Sequence, residues 1–333
     1  MTRTRFERRG MTLVEIMISL VLLGIVSGAL MRVIMRQQRF YSGVNQIMTQ
    51  RGQLRQGTSV LPIDLRSLSS SGNDIKEISD SAIVFDVNIG ASVVCSVVSG
   101  TRVALPPEIL NNKNTLTTFF GYGKPTGPEI ARGVTVYIYN DSSTTGNVDD
   151  RWQRFDLVAM HASTTDCPGG PFMEIYDLGQ ERPVLQLSDP DGRVDASTGG
   201  PISRWIGVGA PVRLVKQVRY KLYQEADGLW YLGYSEHDNG SGAFSALSPV
   251  SGPYRPFATG SGAESGFSLR YYDVEGVQIA EGADSTNRTR IARIDIIARS
   301  QTASNVRAAG IQNGVSQQYA DSLAVSIMLR NRR

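Results

Sequence analysis

The feature that most constrains this chain is an uninterrupted apolar stretch near its start. Residues 11–31 comprise 21 positions, with Glu15 as the single charged side chain. As a helix that rises about 1.5 Å per residue, the stretch is about 31 Å long, which is the thickness of the hydrocarbon core of a bilayer. The sequence therefore predicts a membrane-spanning helix, and we expect the chain to be anchored rather than freely soluble.

Positive charge is concentrated in the ten residues before this stretch. Four arginines and one glutamate lie there and account for the whole net charge of +3, so the rest of the chain is neutral overall. Since cytoplasmic flanks carry the excess of arginine and lysine, we expect a cytoplasmic N-terminus and an outward-facing chain after Arg32. The local origin of the charge also gives no reason to expect a nucleic-acid partner.

Three interpretations of the apolar stretch compete. A cleaved secretory signal would place a small-residue cleavage site after a shorter apolar run, and Ser27-Gly28-Ala29 offers only a weak version of such a site. A plain single-pass anchor accounts for the length and for the arginines. It leaves Glu15 unexplained, because an acid at the centre of a membrane helix costs about 2.5–3.5 kcal/mol and an acid nearer the edge still calls for a partner.

The third interpretation supplies that partner. The run Arg9-Gly10-Met11-Thr12-Leu13-Val14-Glu15 resembles the class III signal of type IV prepilins, in which a basic leader and a glycine precede an apolar helix with glutamate at its fifth position. The resemblance implies that a membrane prepilin peptidase cuts between Gly10 and Met11 and that the new amine of Met11 is methylated. It also implies that Glu15 neutralises the amine of a neighbouring subunit when helices bundle, which would set their register.

Helical periodicity continues beyond the membrane. Apolar residues recur at spacings of three and four up to Leu68, with arginines and glutamines between them. The second half of this stripe is predicted to pack on a globular body, and the first half on other subunits. Gly24 and Gly28 form a Gly-x-x-x-Gly pair that permits close helix approach in lipid, whereas Gly57 and Pro62 are expected to bend or interrupt the helix.

After residue 68 the periodicity changes from 3.6 to 2, which indicates β-strands. We therefore expect an α+β fold, in which a long N-terminal helix precedes a large, mostly antiparallel β body. The predicted divisions are a removed leader (1–10), the helix (11–68), a first β region with a loop-rich insert (69–211) and a C-terminal β region (212–333). The predicted strands are 82–88 paired with 92–98, then 134–139, 154–161, 172–176, 184–187, 212–222, 229–235, 267–273, 290–299 and 321–330.

The two cysteines, Cys95 and Cys167, both follow the membrane helix and are therefore expected in an oxidising compartment. An even pair in such a compartment indicates a disulfide, which would tie the insert to the first pair of strands. Two free buried thiols are the alternative.

The chain offers few groups for catalysis or metal binding. Its two histidines, His161 and His237, fall short of a closed zinc site, and the sequence contains neither a nucleophile elbow nor a phosphate-binding loop. Asp189, Asp191 and Asp195 superficially suggest a calcium loop, but Asp-Pro-Asp-Gly is typical of a turn and the distal glutamate of an EF-hand is missing. We expect no enzyme activity and no cofactor, and these aspartates are only weak metal candidates.

The strand and turn order of the C-terminal third, with the final run Leu329-Arg330-Asn331-Arg332-Arg333, looks like that of PilW-type minor pilins and is similar to that of GspJ-type pseudopilins of type II secretion. This resemblance implies assembly with other minor and major pilins, or with pseudopilins, through the N-terminal helix. It also implies a single-pass inner-membrane precursor that later joins a pilus or pseudopilus at the cell surface. A membrane-anchored adhesin or binding module that works alone is the competing hypothesis.

Overall fold

The computed structural model describes residues 12–70, 72–108, 115–120, 133–140, 151–167, 172–173, 177–188, 206–258, 264–302, 305–306 and 318–329. The chain divides into two compact units, one made of residues 1–52 and 301–321 and the other of residues 53–300 and 322–333. Helix α1 (Leu13–Leu65) begins in the first unit and ends in the second.

Helix α1 runs without a break for 53 residues, although Pro62 lies inside it. The predicted interruption at Gly57 and Pro62 is therefore wrong, whereas the predicted bend stays a prediction. A proline removes one backbone hydrogen bond of a helix, but burial of apolar side chains on the same turns offsets this loss. Leu61 and Leu65, on either side of Pro62, are both fully buried in the second unit.

The described β-structure consists of sixteen strands, and one further short helix, α2 (Ser285–Arg288), precedes β15. The strands are β1 (Ile75–Ile78), β2 (Ala82–Val93), β3 (Ser96–Ser99), β4 (Arg102–Ala104), β5 (Thr118–Phe119), β6 (Val134–Asn140), β7 (Arg151–Ser163), β8 (Arg182–Ser188), β9 (Pro211–Gln224), β10 (Trp230–Asp238), β11 (Ala243–Phe244), β12 (Ser248–Tyr254), β13 (Phe267–Tyr272), β14 (Gln278–Ile279), β15 (Arg293–Gln301) and β16 (Ala320–Met328).

These strands form two sheets in the part of the chain that the structure describes. The larger sheet has the order β1-β2-β9-β6-β7-β8-β4-β3, with β10 also on β9, β11 and β12 on β10, and β5 on β2. The smaller sheet has the order β14-β13-β15-β16. Strand pairs throughout both sheets are antiparallel, namely β1–β2, β2–β9, β6–β9, β7–β8, β9–β10 and β13–β15. The predicted α+β fold with a mostly antiparallel β body is therefore confirmed.

Strand β2 shows where local pattern and tertiary pairing differ. The predicted hairpin between 82–88 and 92–98 does not form, because β2 continues to Val93 and β3 pairs with β4 instead. The partner of β2 is β9, in a register from Ala82 opposite Lys221 to Val93 opposite Pro211, with an irregularity between Asn88 and Gly90. A local break in pattern is thus absorbed as a bulge, since a long partner strand supplies hydrogen bonds on both sides of it.

Strand β9 lies between β2 and β6, so the larger sheet crosses the predicted division at residues 211 and 212. The predicted strands 212–222 and 229–235 form an antiparallel pair, with Leu222 opposite Leu232 in β9 and β10. In the final predicted strand, 321–330, burial alternates with the period of two that strands show: Ile327 and Leu329 are buried and Met328 between them is exposed.

The core of the second unit joins the end of α1 to both sheets. Helix residues Leu54, Leu61 and Leu65 belong to the same buried cluster as Phe85 and Tyr220 of the larger sheet. From the smaller sheet the cluster includes Phe267, Leu269, Tyr271, Ile294, Ile296 and Ala298. The β body is therefore built around the last three turns of the helix.

Candidate assembly interface

The first thirty residues of α1 are exposed on every side. Every residue from 12 to 42 is exposed in the described structure, including Leu13 at 74% and Tyr41 at 65%. The helix is long and apolar enough to cross a membrane. Exposing such a surface to water costs about 25 cal/mol of free energy for each Å² of apolar area. We therefore expect lipid or other helices to cover it.

Glu15 lies in the first turn of this exposed helix. Thr12 caps the turn: its carbonyl oxygen accepts from the backbone N–H of Glu15 at 3.1 Å and of Ile16 at 3.2 Å, and its Oγ1 lies 3.3 Å from the backbone nitrogen of Glu15. Threonine at the cap with glutamate three residues later is the pattern of a capping box. This cap was not among the predictions, although the Thr-x-x-Glu spacing in the sequence indicates it. Gly10 and Met11 lie outside the described residues.

Gly24 and Gly28 leave an open strip on the exposed helix. A Cβ atom added to either glycine would meet no atom within 4 Å. Both positions are therefore available for close approach by another helix, which is the use that the Gly-x-x-x-Gly spacing predicts.

In the first unit, Arg51, about three quarters of the way along α1, is held by residues that follow β15. The Arg51 guanidinium donates through Nε to Asp321 Oδ2 at 2.9 Å and through Nη2 to the Tyr319 hydroxyl at 2.7 Å. The backbone of Tyr319 is itself fixed, because its N–H donates to Thr302 Oγ1 at 2.9 Å. This contact involves Arg51, well beyond the exposed stretch, and leaves residues 12–42 uncovered.

In the second unit, Gly57 permits a close approach between the helix and the sheet. A Cβ atom at Gly57 would collide with the Tyr254 hydroxyl and with Ser251 Oγ, which lie 2.6 Å from each other. Three residues from Leu61, Asp64 Oδ2 accepts a hydrogen bond of 2.8 Å from the Tyr220 hydroxyl. Glycine at position 57 therefore serves packing, a role that was not predicted.

A buried ionic cluster joins the segment after α1 to the sheet. Asp74, only 2% exposed, accepts from the backbone N–H of Ser69 at 2.8 Å and from Arg213 Nη2 at 3.1 Å. Next to it, Lys76 Nζ lies 3.0 Å from Asp86 Oδ2. Burial alone would lower the pKa of Lys76, but the Asp86 carboxylate raises it overall, so Lys76 stays charged. The cluster fixes how the chain leaves the helix.

Cys95 and Cys167 form a disulfide with 5.6 Å between their Cα atoms. Both are buried, and with Ala104, Met173 and Val184 they make a small second core apart from the main one. The backbone N–H of Cys95 donates to the carbonyl of Ala104 at 2.8 Å, which ties the bridge to β4. The bond joins the segment after β7 to the segment between β2 and β3.

The structure brings no metal-binding group together among the described residues. His161 is exposed beside Gln186, and His237 packs edge-on against Phe244 with 5.1 Å between ring centroids. The two histidines occupy different strands, β7 and β10, that are not paired. Asp189, Asp191 and Asp195 lie outside the described residues.

The fold and the exposed helix define an α+β protein with an apolar N-terminal helix of membrane-spanning length. Residues 5–31 match the family described as the prokaryotic N-terminal methylation motif. No curated protein and no solved structure matches the chain significantly. The motif supports a type IV pilin-like signal at the N-terminus, and with it a role in pilus or pseudopilus assembly. Together with the apolar helix, it also supports membrane anchoring.

Proposed function

We propose that this protein is a PilW-like minor pilin that takes part in type IV pilus assembly, in the complex that initiates the filament and stays at its tip. One observation carries the proposal: the methylation motif at residues 5–31 coincides with a helix whose apolar side chains are exposed from residue 12 to residue 42. The motif supplies a processing signal, and the helix supplies a surface that other subunits can cover. The role is structural rather than enzymatic.

Processing precedes assembly in this proposal. A prepilin peptidase of the inner membrane cuts between Gly10 and Met11, and the amine of Met11 is methylated. The cut leaves a positive charge at the start of an apolar helix, close to the first-turn carboxylate of Glu15. In a bundle, Glu15 of one subunit neutralises the amine of the next, because two opposite charges in lipid are tolerated only when they meet. Gly24 and Gly28 allow the helices to approach.

The size of the β body supports a place at the tip. More than 250 residues follow the helix, and a body of that size packs poorly at every position along a thin shaft. The partners are then other minor and major pilins through α1, the prepilin peptidase and the inner membrane. The precursor has a cytoplasmic N-terminus and an outward β body, and the mature subunit reaches the cell surface in the pilus. No nucleic acid or cofactor is part of the proposal.

The same motif serves a second candidate, a GspJ-like pseudopilin of a type II secretion system. The processing and the helix chemistry are identical, and the difference lies in the filament that the subunit joins. A membrane-anchored adhesin or binding module that acts alone is the third candidate, and it needs no removal of the leader.

Mass spectrometry of the N-terminal peptide, in sheared filaments and in membranes, tests the proposal. A peptide that begins at methylated Met11 in the sheared fraction supports a minor pilin, and the same peptide confined to membranes favours a pseudopilin. An N-terminus at Met1 in both fractions would overturn both assignments. Gly10→Ala should block the cut, whereas Gly52→Ala, an exposed glycine outside the signal, should leave it intact.

A further inference from the structure

Three arginines follow the membrane-spanning stretch on one face of α1. Arg32, Arg36 and Arg39 are separated by four and three residues, which places them within about 60° of one another around a helix of 3.6 residues per turn. We call these three side chains the arginine stripe. All three are exposed, and in the described structure none of them is in a hydrogen bond or an ion pair.

The helix itself supplies no counter-ion for the stripe. No aspartate or glutamate occurs between Glu15 and Asp64, so the usual acid one turn away is missing on both sides. Arg51, further along the same helix, does have an acid partner in Asp321. The stripe therefore presents three charges that an external anion must balance.

The position of the stripe along the helix indicates which anion it meets, because it lies at the depth of the lipid headgroups. With residues 11–31 filling the hydrocarbon core, Arg32 lies about 1.5 Å beyond it, Arg36 about 7.5 Å and Arg39 about 12 Å, at 1.5 Å per residue. The headgroup layer adds about 5–7.5 Å on each side of the core. Helical side chains tilt toward the N-terminus, here toward the membrane, so the long Arg39 side chain can reach back to phosphates at that level.

We propose that the arginine stripe binds the headgroups of anionic phospholipids in the leaflet that α1 crosses last, and so fixes the depth of the helix before it enters a filament. The planar guanidinium of arginine binds phosphate through two parallel hydrogen bonds, which favours it over lysine for this task. The inference rests on the membrane-spanning part of the proposed function and is independent of leader removal and of filament assembly.

The test uses the full chain reconstituted in phosphatidylcholine vesicles with a minor fraction of phosphatidylglycerol. A fluorophore on Met35→Cys, next to the stripe, is quenched by a nitroxide carried on either headgroup, and such quenching acts only at short range. We expect stronger quenching by labelled phosphatidylglycerol than by labelled phosphatidylcholine, and a preference that weakens as salt is added.

Matched variants isolate the stripe. Arg32→Gln, Arg36→Gln and Arg39→Gln combined should abolish the preference. Each single replacement should lower the affinity for the anionic lipid by about fivefold. Arg55→Gln, Arg66→Gln and Arg270→Gln combined remove the same charge from exposed positions of the second unit and should leave the preference unchanged.

A preference that survives in the triple stripe variant would overturn the proposal. The absence of any preference in the wild-type protein would also overturn it. If the triple variant then showed a defect in filament incorporation, the stripe would be assigned to acidic side chains of a neighbouring subunit. Because the leader is present in all variants, its arginines contribute equally. A failure of cleavage or of filament assembly would not alter the vesicle result, so the two proposals fail separately.

Discussion

At the scale of single residues, the place of Glu15 in the first turn of α1 and its proposed pairing in assembly can be tested separately. Glu15 is the third residue of a turn that begins at the Thr12 cap, where a carboxylate is favoured by the positive end of the helix dipole. In a bundle it would also pair with the amine of a neighbour. Capping needs a hydrogen-bonding side chain, which glutamine also has, whereas pairing needs the charge.

Glu15→Gln therefore tests the pairing alone. We expect cleavage after Gly10 to continue and incorporation into filaments to fall by about tenfold or more, because removing one partner leaves the other charge unpaired in lipid. Glu15→Val should behave alike, and Ser19→Ala, one turn along on the exposed helix, serves as the control. The ratio of mature protein in sheared filaments to that in membranes measures the effect, and wild-type incorporation of the glutamine variant would contradict the pairing.

The buried phenol of Tyr254 should make the stability of the β body depend on alkaline pH. Burial raises the pKa of its phenol to about 12 from an ordinary value of 10.0, since the ionised form would lose its hydration. The neutral form is thus favoured in the folded state, so the resulting stability is present below pH 10 and is lost as the pH rises toward 12. The loss should be about 2–3 kcal/mol.

Tyr254→Phe should flatten that part of the pH dependence. The free energy of unfolding, measured by denaturant at several values between pH 9 and pH 12 (roughly the ionisation range of tyrosine), should fall less steeply in the variant than in the wild-type protein. Other buried tyrosines such as Tyr271 titrate in both proteins, so the difference reports Tyr254. Parallel curves would show that the phenol does not carry this dependence.

At the scale of elements, α1 is one helix with two surroundings. Its first thirty residues are exposed, whereas Leu54, Leu61 and Leu65 near its end are buried in the core of the second unit. Isolated helices are marginal in water, and most of their stability in proteins comes from packing of an apolar face. The end of α1 is therefore held by the β body, and its beginning depends on lipid or on partner helices.

Gly57→Ala tests the packing of α1 on the sheet. The added methyl group would collide with Tyr254 and Ser251, so the free energy of unfolding should fall by about 1–3 kcal/mol. Gly52→Ala is the matched control, because nothing lies within 4 Å of that position and alanine is the better helix former by about 1 kcal/mol. Denaturant unfolding of both variants measures the contrast, and equal stability would contradict the close approach.

At the scale of the whole molecule, the disulfide joins two distant parts of the chain within a small buried cluster of its own. Cys95 and Cys167 are 72 residues apart, and they pack with Met173 and Val184 in a separate buried cluster. A bridge across so long a loop stabilises the folded state mainly by restricting the unfolded chain.

Replacing both cysteines by serine should lower the free energy of unfolding by about 2–5 kcal/mol. The wild-type protein in reductant should behave like the double variant, while the double variant should be insensitive to reductant. Denaturant unfolding with and without dithiothreitol provides the measurement. A wild-type protein that is unaffected by complete reduction would show that the small core needs no bridge.

The sequence by itself determined the features that local periodicity and composition encode. A 21-residue apolar run, a basic leader, Glu15 and a change of period after residue 68 were enough to predict the membrane helix, the processing signal and the antiparallel body. Each of these depends on the length of an apolar run, on local charge or on the spacing of apolar residues, and neighbouring residues specify all three directly.

Only the tertiary structure decided which elements meet. It placed β9 between β2 and β6, carried α1 through Pro62 and made Gly57 a contact with Tyr254, and it brought Arg213 to Asp74 across 139 residues. The physical reason is that strand partners and buried ion pairs are chosen by the burial and hydrogen bonding of the whole chain. Local propensity carries no record of distant partners, so it cannot distinguish a turn from a bulge or a helix break from a packed glycine.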